Sequence, residues 1–225
     1  MHLDFKEEDY GLYLEHDFRH RWLRPAHLQE KLEKYRQHSS FTIKSIGESP
    51  EGRAIKTIKW GQGKQRVLLW SQMHGNEPTA TMALIDVLNF LMAQDDYQQI
   101  RQKWHDQLEL LIMPMLNPDG AERFTRANAL GVDLNRDAVP GEMPEMKIFQ
   151  KQLRKFQPHW TFNLHDQRSI FAAGPTAHPA TISFLSAASD HQPQEHSHPA
   201  EKHAAHKPIG RRSAEASTES GGPIQ

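Results

Sequence analysis

The sequence predicts an α/β fold, a mixed and mostly parallel central sheet with helices on both faces. Three observations carry this expectation. Val67-Leu68-Leu69-Trp70 and Leu110-Leu111-Ile112-Met113 are short continuous apolar runs, the pattern of strands covered on both faces. Between them Met82, Ile85, Leu88 and Phe90 to Met92 recur with helical periodicity. A second amphipathic stretch then precedes a third strand candidate, Trp160 to Leu164, so strands and helices alternate along the chain.

In chain order, Leu12 to His38 is polar, with Leu23, Leu28, Leu32 and Tyr35 at roughly helical spacing, and reads as a surface helix. Phe41 to Ile46 and Ala54 to Trp60 alternate apolar and polar around Glu48-Ser49-Pro50-Glu51-Gly52, which predicts a hairpin that is half buried at best. Arg66 to Trp70 is a central strand, and Pro78 stands at the first helical position of the helix that runs to about Ala93. Glu109 to Met115 is the second buried strand, ending in the turn signal Asn117-Pro118-Asp119-Gly120 and a long loop to about Pro140. Pro144 to Phe156 carries Met146, Phe149, Leu153 and Phe156 on one helical face, with Pro158 as its stop.

The composition changes at Ser186. Beyond it Ile209 and Ile224 are the only large apolar side chains, and His191, His196, His198, His203 and His206 sit among Ala, Ser, Pro and Glu. Such a segment cannot build a core, so the chain divides into residues 1–186 and a low-complexity stretch, 187–225. Thr181 to Leu185 reads as the start of a further buried strand, and the residues after it as a shifted reading frame or an alternative end.

A chain of 225 residues has room for one ordinary domain with a real core. Lys and Arg number 27 against 28 Asp and Glu, a net charge of -1 that offers no field to nucleic acid or an anionic membrane. The absence of cysteine excludes disulfides, a thiol nucleophile and Cys-based zinc fingers, so any metal must be held by His and carboxylates. With no run of 18 apolar residues and an acidic N-terminus, a cytoplasmic chain is expected.

A zinc hydrolase without cysteine needs His and carboxylate ligands with one coordination position open. His-x-x-Glu supplies two of them compactly, but with 15 His in the chain the spacing also arises by chance, and it occurs at His27/Glu30, His74/Glu77 and His198/Glu201. Context selects His74/Glu77, which follows a buried strand and precedes a helix, at the edge where open α/β sheets gather ligand sites. His165 closes the Trp160 to Leu164 strand and brings a third candidate to that edge, with Asp166 or Asn163 placed to orient its ring. Arg126, Asn128, Asp133, Asn135 and Arg136 cluster in the long loop, where a guanidinium near a metal can clamp a carboxylate.

Taken in order, Met73-His74-Gly75-Asn76-Glu77-Pro78, Asn117-Pro118-Asp119-Gly120, Arg126, Gly131-Val132-Asp133-Leu134-Asn135-Arg136 and Asn163-Leu164-His165-Asp166 resemble the zinc carboxypeptidase family. Ile46 to Ile55 is similar to that family's opening hairpin, so the resemblance covers about Ser45 to Leu185. It implies one zinc on His74, Glu77 and His165, Asn135 and Arg136 gripping the free carboxylate of a peptide, and Arg126 polarising the scissile carbonyl. Asn76 stands where digestive members carry Arg, and His-Gly-Asn-Glu is also similar to the aspartoacylase and succinylglutamate desuccinylase group. That likeness keeps a second substrate open, a small N-acyl amino acid. The general-base Glu that the family takes from a later strand, and the Tyr often ahead of it, have no counterpart here. After Leu185 the carboxylates Asp190, Glu195, Glu201, Glu215 and Glu219 lie in no apolar strand, and Tyr is absent. The catalytic domain thus reads as C-terminally incomplete, and an inactive chain is the third expectation.

Overall fold

In a computed structural model, residues 6–18 and 20–166 are described, and they lie in the first of two units, Met1–Asp166 and Gln167–Gln225. The expected boundary at residue 186 and the expected strand at Thr181 to Leu185 fall outside the described residues.

The two apolar runs do become neighbours inside one sheet. It holds β1 (Phe41–Glu48), β2 (Ala54–Trp60), β3 (Gln65–Ser71), β4 (Leu108–Met113) and β5 (Trp160–Leu164), in the order β1-β2-β4-β3-β5. β3 lies parallel to both β4 and β5, with Leu68 opposite Leu111 and Leu69 opposite both Ile112 and Phe162, whereas β1, β2 and β4 pair antiparallel. The sheet is therefore mixed, its parallel half being the half that carries the site.

Alternating side chains feed two cores, as a two-residue period requires. On one face Ile58, Trp60 and Ile112 meet Leu28, Leu32 and Tyr35 of α1 (Pro25–Arg36) and Leu84, Ile85 and Leu88 of α2 (Thr79–Met92). On the other Ile55, Leu68, Leu111 and Met113 meet Leu134 and, from α5 (Pro144–Phe156), Met146 and Phe149. Helices thus cover both faces.

The hairpin is half buried, as expected, but unevenly: β2 lies between β1 and β4 with Ile55, Thr57, Ile58 and Trp60 buried, while β1 at the sheet edge buries only Phe41. Three expectations need correction. The first helix spans only Pro25–Arg36, because Pro25 has no N–H to give to an earlier turn. A two-turn 3-10 helix, Glu7–Leu12, and irregular chain stand ahead of it. The Asn117 to Gly120 turn opens a short helix, α4 (Pro118–Arg123), since Asn is a good N-cap and Pro a good first residue; the Asn117 side chain accepts from the Gly120 N–H at 2.8 Å. Finally, α3 (Gln98–Gln107) was not foreseen, being polar on nearly every side with only Arg101 buried.

Asp119 ties the β1–β2 turn to α4. Fully buried, it accepts from Ser49 Oγ at 2.7 Å, the Glu51 N–H at 3.1 Å and Arg53 Nη1 at 2.7 Å. A buried carboxylate must be satisfied this way, and the bonds hold the hairpin beside the loops that build the site.

Candidate metal centre

Because β3 and β5 run parallel and adjacent, their C-terminal ends deliver His74 and His165 to one place. Ser71 pairs with Leu164, so His165 follows its strand directly and His74 sits one tight turn beyond its own. That turn is closed by Gly75, where a Cβ would overlap the backbone of Gly120 and Ala121 in α4. Glu77 returns its N–H to the His74 carbonyl at 3.1 Å, which folds the three-residue spacing onto one side.

One donor atom each from His74, Glu77 and His165 lies within 4.8 Å of the others, the one such cluster among the described residues. His165 Nδ1 is 2.8 Å from Glu77 Oε2, and the two imidazoles stand 4.8 Å apart. His74 Nδ1 lies 3.0 Å from Glu77 Oε1 but lacks hydrogen-bond geometry there, so this buried nitrogen has no partner. Two atoms that face a common point without bonding each other suit a shared cation. Two imidazoles and one carboxylate are also a zinc donor set that leaves a fourth position open, so the residues present fit zinc.

His74 is only 2% exposed, and its other nitrogen, Nε2, lies 3.0 Å from Asp133 Oδ1. That contact holds Nε2 as the donor and leaves Nδ1 bare for a metal. Asp133 also receives Arg126 Nε at 3.0 Å and the Asn135 N–H at 2.9 Å. Burial would raise the Asp133 carboxyl, but the bonds from His74, Asn135 and Arg126 hold it below the usual carboxylate range. Burial likewise pushes Glu77 up, and the contacts with His165 and His74 outweigh it, leaving the carboxyl far below its ordinary value.

The structure thus brings His74, Glu77, His165 and Arg126 together, Arg126 reaching Glu77 Oε1 through Nη1 at 3.2 Å. Asn135 and Arg136 belong to the same loop through Asp133, whose carbonyl accepts from the Arg136 N–H at 2.9 Å. Arg136 is exposed, and neither its guanidinium nor the Asn135 amide has a partner among the described residues. Asn128 is elsewhere, buried against Glu145 at 3.3 Å. The orienting carboxylate is Asp133 on His74, and neither Asp166 nor Asn163 plays that part for His165. Asp166 accepts from the Thr79 N–H and Oγ1, both at 2.9 Å, and pairs with Arg21, while Asn163 turns to Met73 Sδ at 3.8 Å. The signal for Asp133 was its place in the Arg126 to Arg136 cluster; the 59-residue separation from His74 hid the pairing. Replacing Asp133 by Asn removes the charge and turns an amide toward Arg126. Zinc affinity should fall roughly 10- to 100-fold, read by competition with a chromophoric chelator.

The profile of zinc carboxypeptidases matches residues 28–194. The chain belongs to the zinc carboxypeptidase family. Among curated relatives it is 32% identical over 116 residues to "Probable carboxypeptidase 2" of Arthroderma benhamiae, covering 52% of this chain and 21% of that protein. It is 34% identical over 111 residues to "Carboxypeptidase SOL1" of Arabidopsis thaliana, covering 49% and 22%. Among solved structures, a metallo-carboxypeptidase from Burkholderia cenocepacia superposes with a TM-score of 0.59 at 22% identity, over 62% of this chain and 40% of that one. A Pseudomonas aeruginosa metallo-carboxypeptidase, solved with (2-guanidinoethylmercapto)succinic acid, gives 0.57 at 22% identity, over 62% and 39%. The shared property with these two structures is the fold. The chain spans about a fifth of the length of the two curated relatives and two fifths of the two structures. No helix among its described residues is long and apolar enough to cross a membrane.

Proposed function

We propose that this chain holds one zinc ion on His74, Glu77 and His165 and acts on the C-terminal end of peptides as a metallocarboxypeptidase-like hydrolase. The observation that supports it most is the convergence of these donors within 4.8 Å, beside Arg126. When bound there, zinc supplies Lewis acidity toward a carbonyl and lowers the pKa of water. Arg126 keeps Nη2 unbonded among the described residues while Nε and Nη1 are anchored on Asp133 and Glu77, so a positioned donor is left for a carbonyl oxygen that gains charge. Arg136, exposed and unpaired among the described residues, offers a two-pronged grip for a carboxylate, and the Asn135 amide adds a donor beside it.

One observation favours a second reading, recognition without turnover. Each carboxylate at this cluster is committed: Glu77 is one of its three donors, Asp133 holds His74 and Arg126, and Asp166, next in sequence to His165, holds Thr79 and Arg21. Among the described residues none is left to move the proton from water to the leaving amine, a deficit worth about 10²–10⁴ in rate.

The deciding experiment loads the purified chain with zinc, measures bound metal, and offers blocked dipeptides beside N-acetyl-aspartate and N-succinyl-glutamate. One zinc per chain with release of the C-terminal residue from peptides supports the hydrolase. Peptide binding without release supports recognition alone, and deacylation of the small substrates would replace the peptide by an acyl amino acid. A chain that takes up no zinc overturns all three.

A further inference from the structure

Trp22 and Phe124 are large aromatic residues left 41% and 40% exposed. Their ring centroids lie 6.1 Å apart at 53°, and the Arg24 guanidinium covers the indole at 4.1 Å. Trp22 precedes residue 28, where the match to the family begins.

The chain around Trp22 is fastened to the walls of the metal site. Arg21 pairs with Asp166, next to the ligand His165, at 2.9 Å. Trp22 Nε1 donates to the Ala121 carbonyl of α4 at 3.0 Å. The Leu23 carbonyl accepts from Gln72 Nε2 at 3.3 Å, two residues ahead of His74. Segment 21–24 is thus a rim on the site, and Phe124, two residues before Arg126, belongs to that rim as well.

Phe124 occupies a conformation that a bulky residue rarely takes. It is the first residue past α4 and has φ 54°, ψ 45°, the left-handed region where glycine or asparagine normally ends a helix. Glycine there would relieve the backbone. A strained, exposed aromatic residue beside a site is the kind of outlier that points to a role in binding.

Resting on the peptide reading above, we propose that Trp22 and Phe124 form an aromatic subsite that receives an aromatic or large apolar side chain of the peptide, next to the scissile bond. The Arg24 cation over the Trp22 ring suits a ligand that ends in a carboxylate.

The test uses the zinc-loaded full chain and short peptides with a free carboxylate and a ketomethylene group in place of the last amide. They carry Phe or Ala at the last or the penultimate position, and affinity is measured by calorimetry. Wild type should prefer a Phe peptide about 3- to 10-fold. The preference should vanish in Phe124→Gly and Trp22→Ala and persist in Trp22→Phe, while Phe124→Gly melts no lower than wild type. Arg136→Ala should weaken every peptide alike. A Phe preference that survives in both ring-deleting variants overturns the subsite and leaves the peptide reading standing. If no peptide binds wild type, or Arg136→Ala changes nothing, the peptide reading falls and the subsite with it.

Discussion

Replacing His74 by alanine should abolish stoichiometric zinc. Two donors would remain of three, and if they share a binding free energy of roughly 10–16 kcal/mol, the loss is on the order of 3–5 kcal/mol, or about 10²–10⁴ in affinity. The same change empties a site that is 2% exposed and strips Asp133 of a donor and Glu77 of a neighbour. Equilibrium dialysis against buffered zinc reads the effect directly. His27→Ala is the control, since its His-x-x-Glu pair lies on α1, where the Arg24 N–H reaches His27 Nδ1 at 3.4 Å. Zinc bound equally by wild type and His74→Ala would remove the centre from this place. Glu77 stays ionised on mild acidification. Its depressed carboxyl carries a stabilising contribution that is complete above its unfolded pKa near 4.5 and is lost only as the pH falls through the lower folded value.

Gly75→Ala should cost about 3 kcal/mol or more of stability, at or beyond the upper end of ordinary overpacking. The added methyl would meet backbone, the carbonyl carbon of Gly120 and the amide of Ala121, where no side chain can rotate aside. The turn carrying His74 and the helix N-capped by Asn117 would have to separate, and Asn117 Nδ2, 3.3 Å from the Met73 carbonyl, would lose that acceptor and keep only the Arg126 carbonyl at 3.4 Å. A urea midpoint measures the loss. Gly131→Ala is the comparison: its φ is 77° but a Cβ there meets nothing within 4 Å, so only the conformational cost of roughly 1 kcal/mol applies. Equal midpoints for the two variants would contradict the close approach of turn and helix.

Both predictions depend on how local signals assemble. β3, β4, β5 and α5 are legible because each is written within 13 residues: an apolar run in β3 and β4, an apolar-polar alternation in β5, and in α5 a period of three to four with a proline at the start. The cluster of His74, Glu77 and His165 was legible for a related reason, since His165 closes one marked strand and His74 and Glu77 lie between another and the helix after it. α3 escaped because Ile100 and Trp104 are its only large apolar residues, too few to mark a face. The helix at Pro118 escaped because Asn-Pro-Asp-Gly serves equally as turn and as helix start, and local chemistry does not separate them.

The sequence by itself determined the strands and the longer amphipathic helices, their α/β order, and the edge of the sheet where His74, Glu77 and His165 collect, because these come from periodicity and from what each side chain can do. Tertiary structure alone decided which groups touch. It set Asp133 against the His74 imidazole and turned Asp166 and Asn163 away from His165, buried β2 by giving it a strand on each side, and set Trp22 beside Phe124 at the rim. The physical reason is separation along the chain: Asp133 reaches His74 across 59 residues and Trp22 reaches Ala121 across 99. Such contacts form only when the sheet and both cores have closed around them.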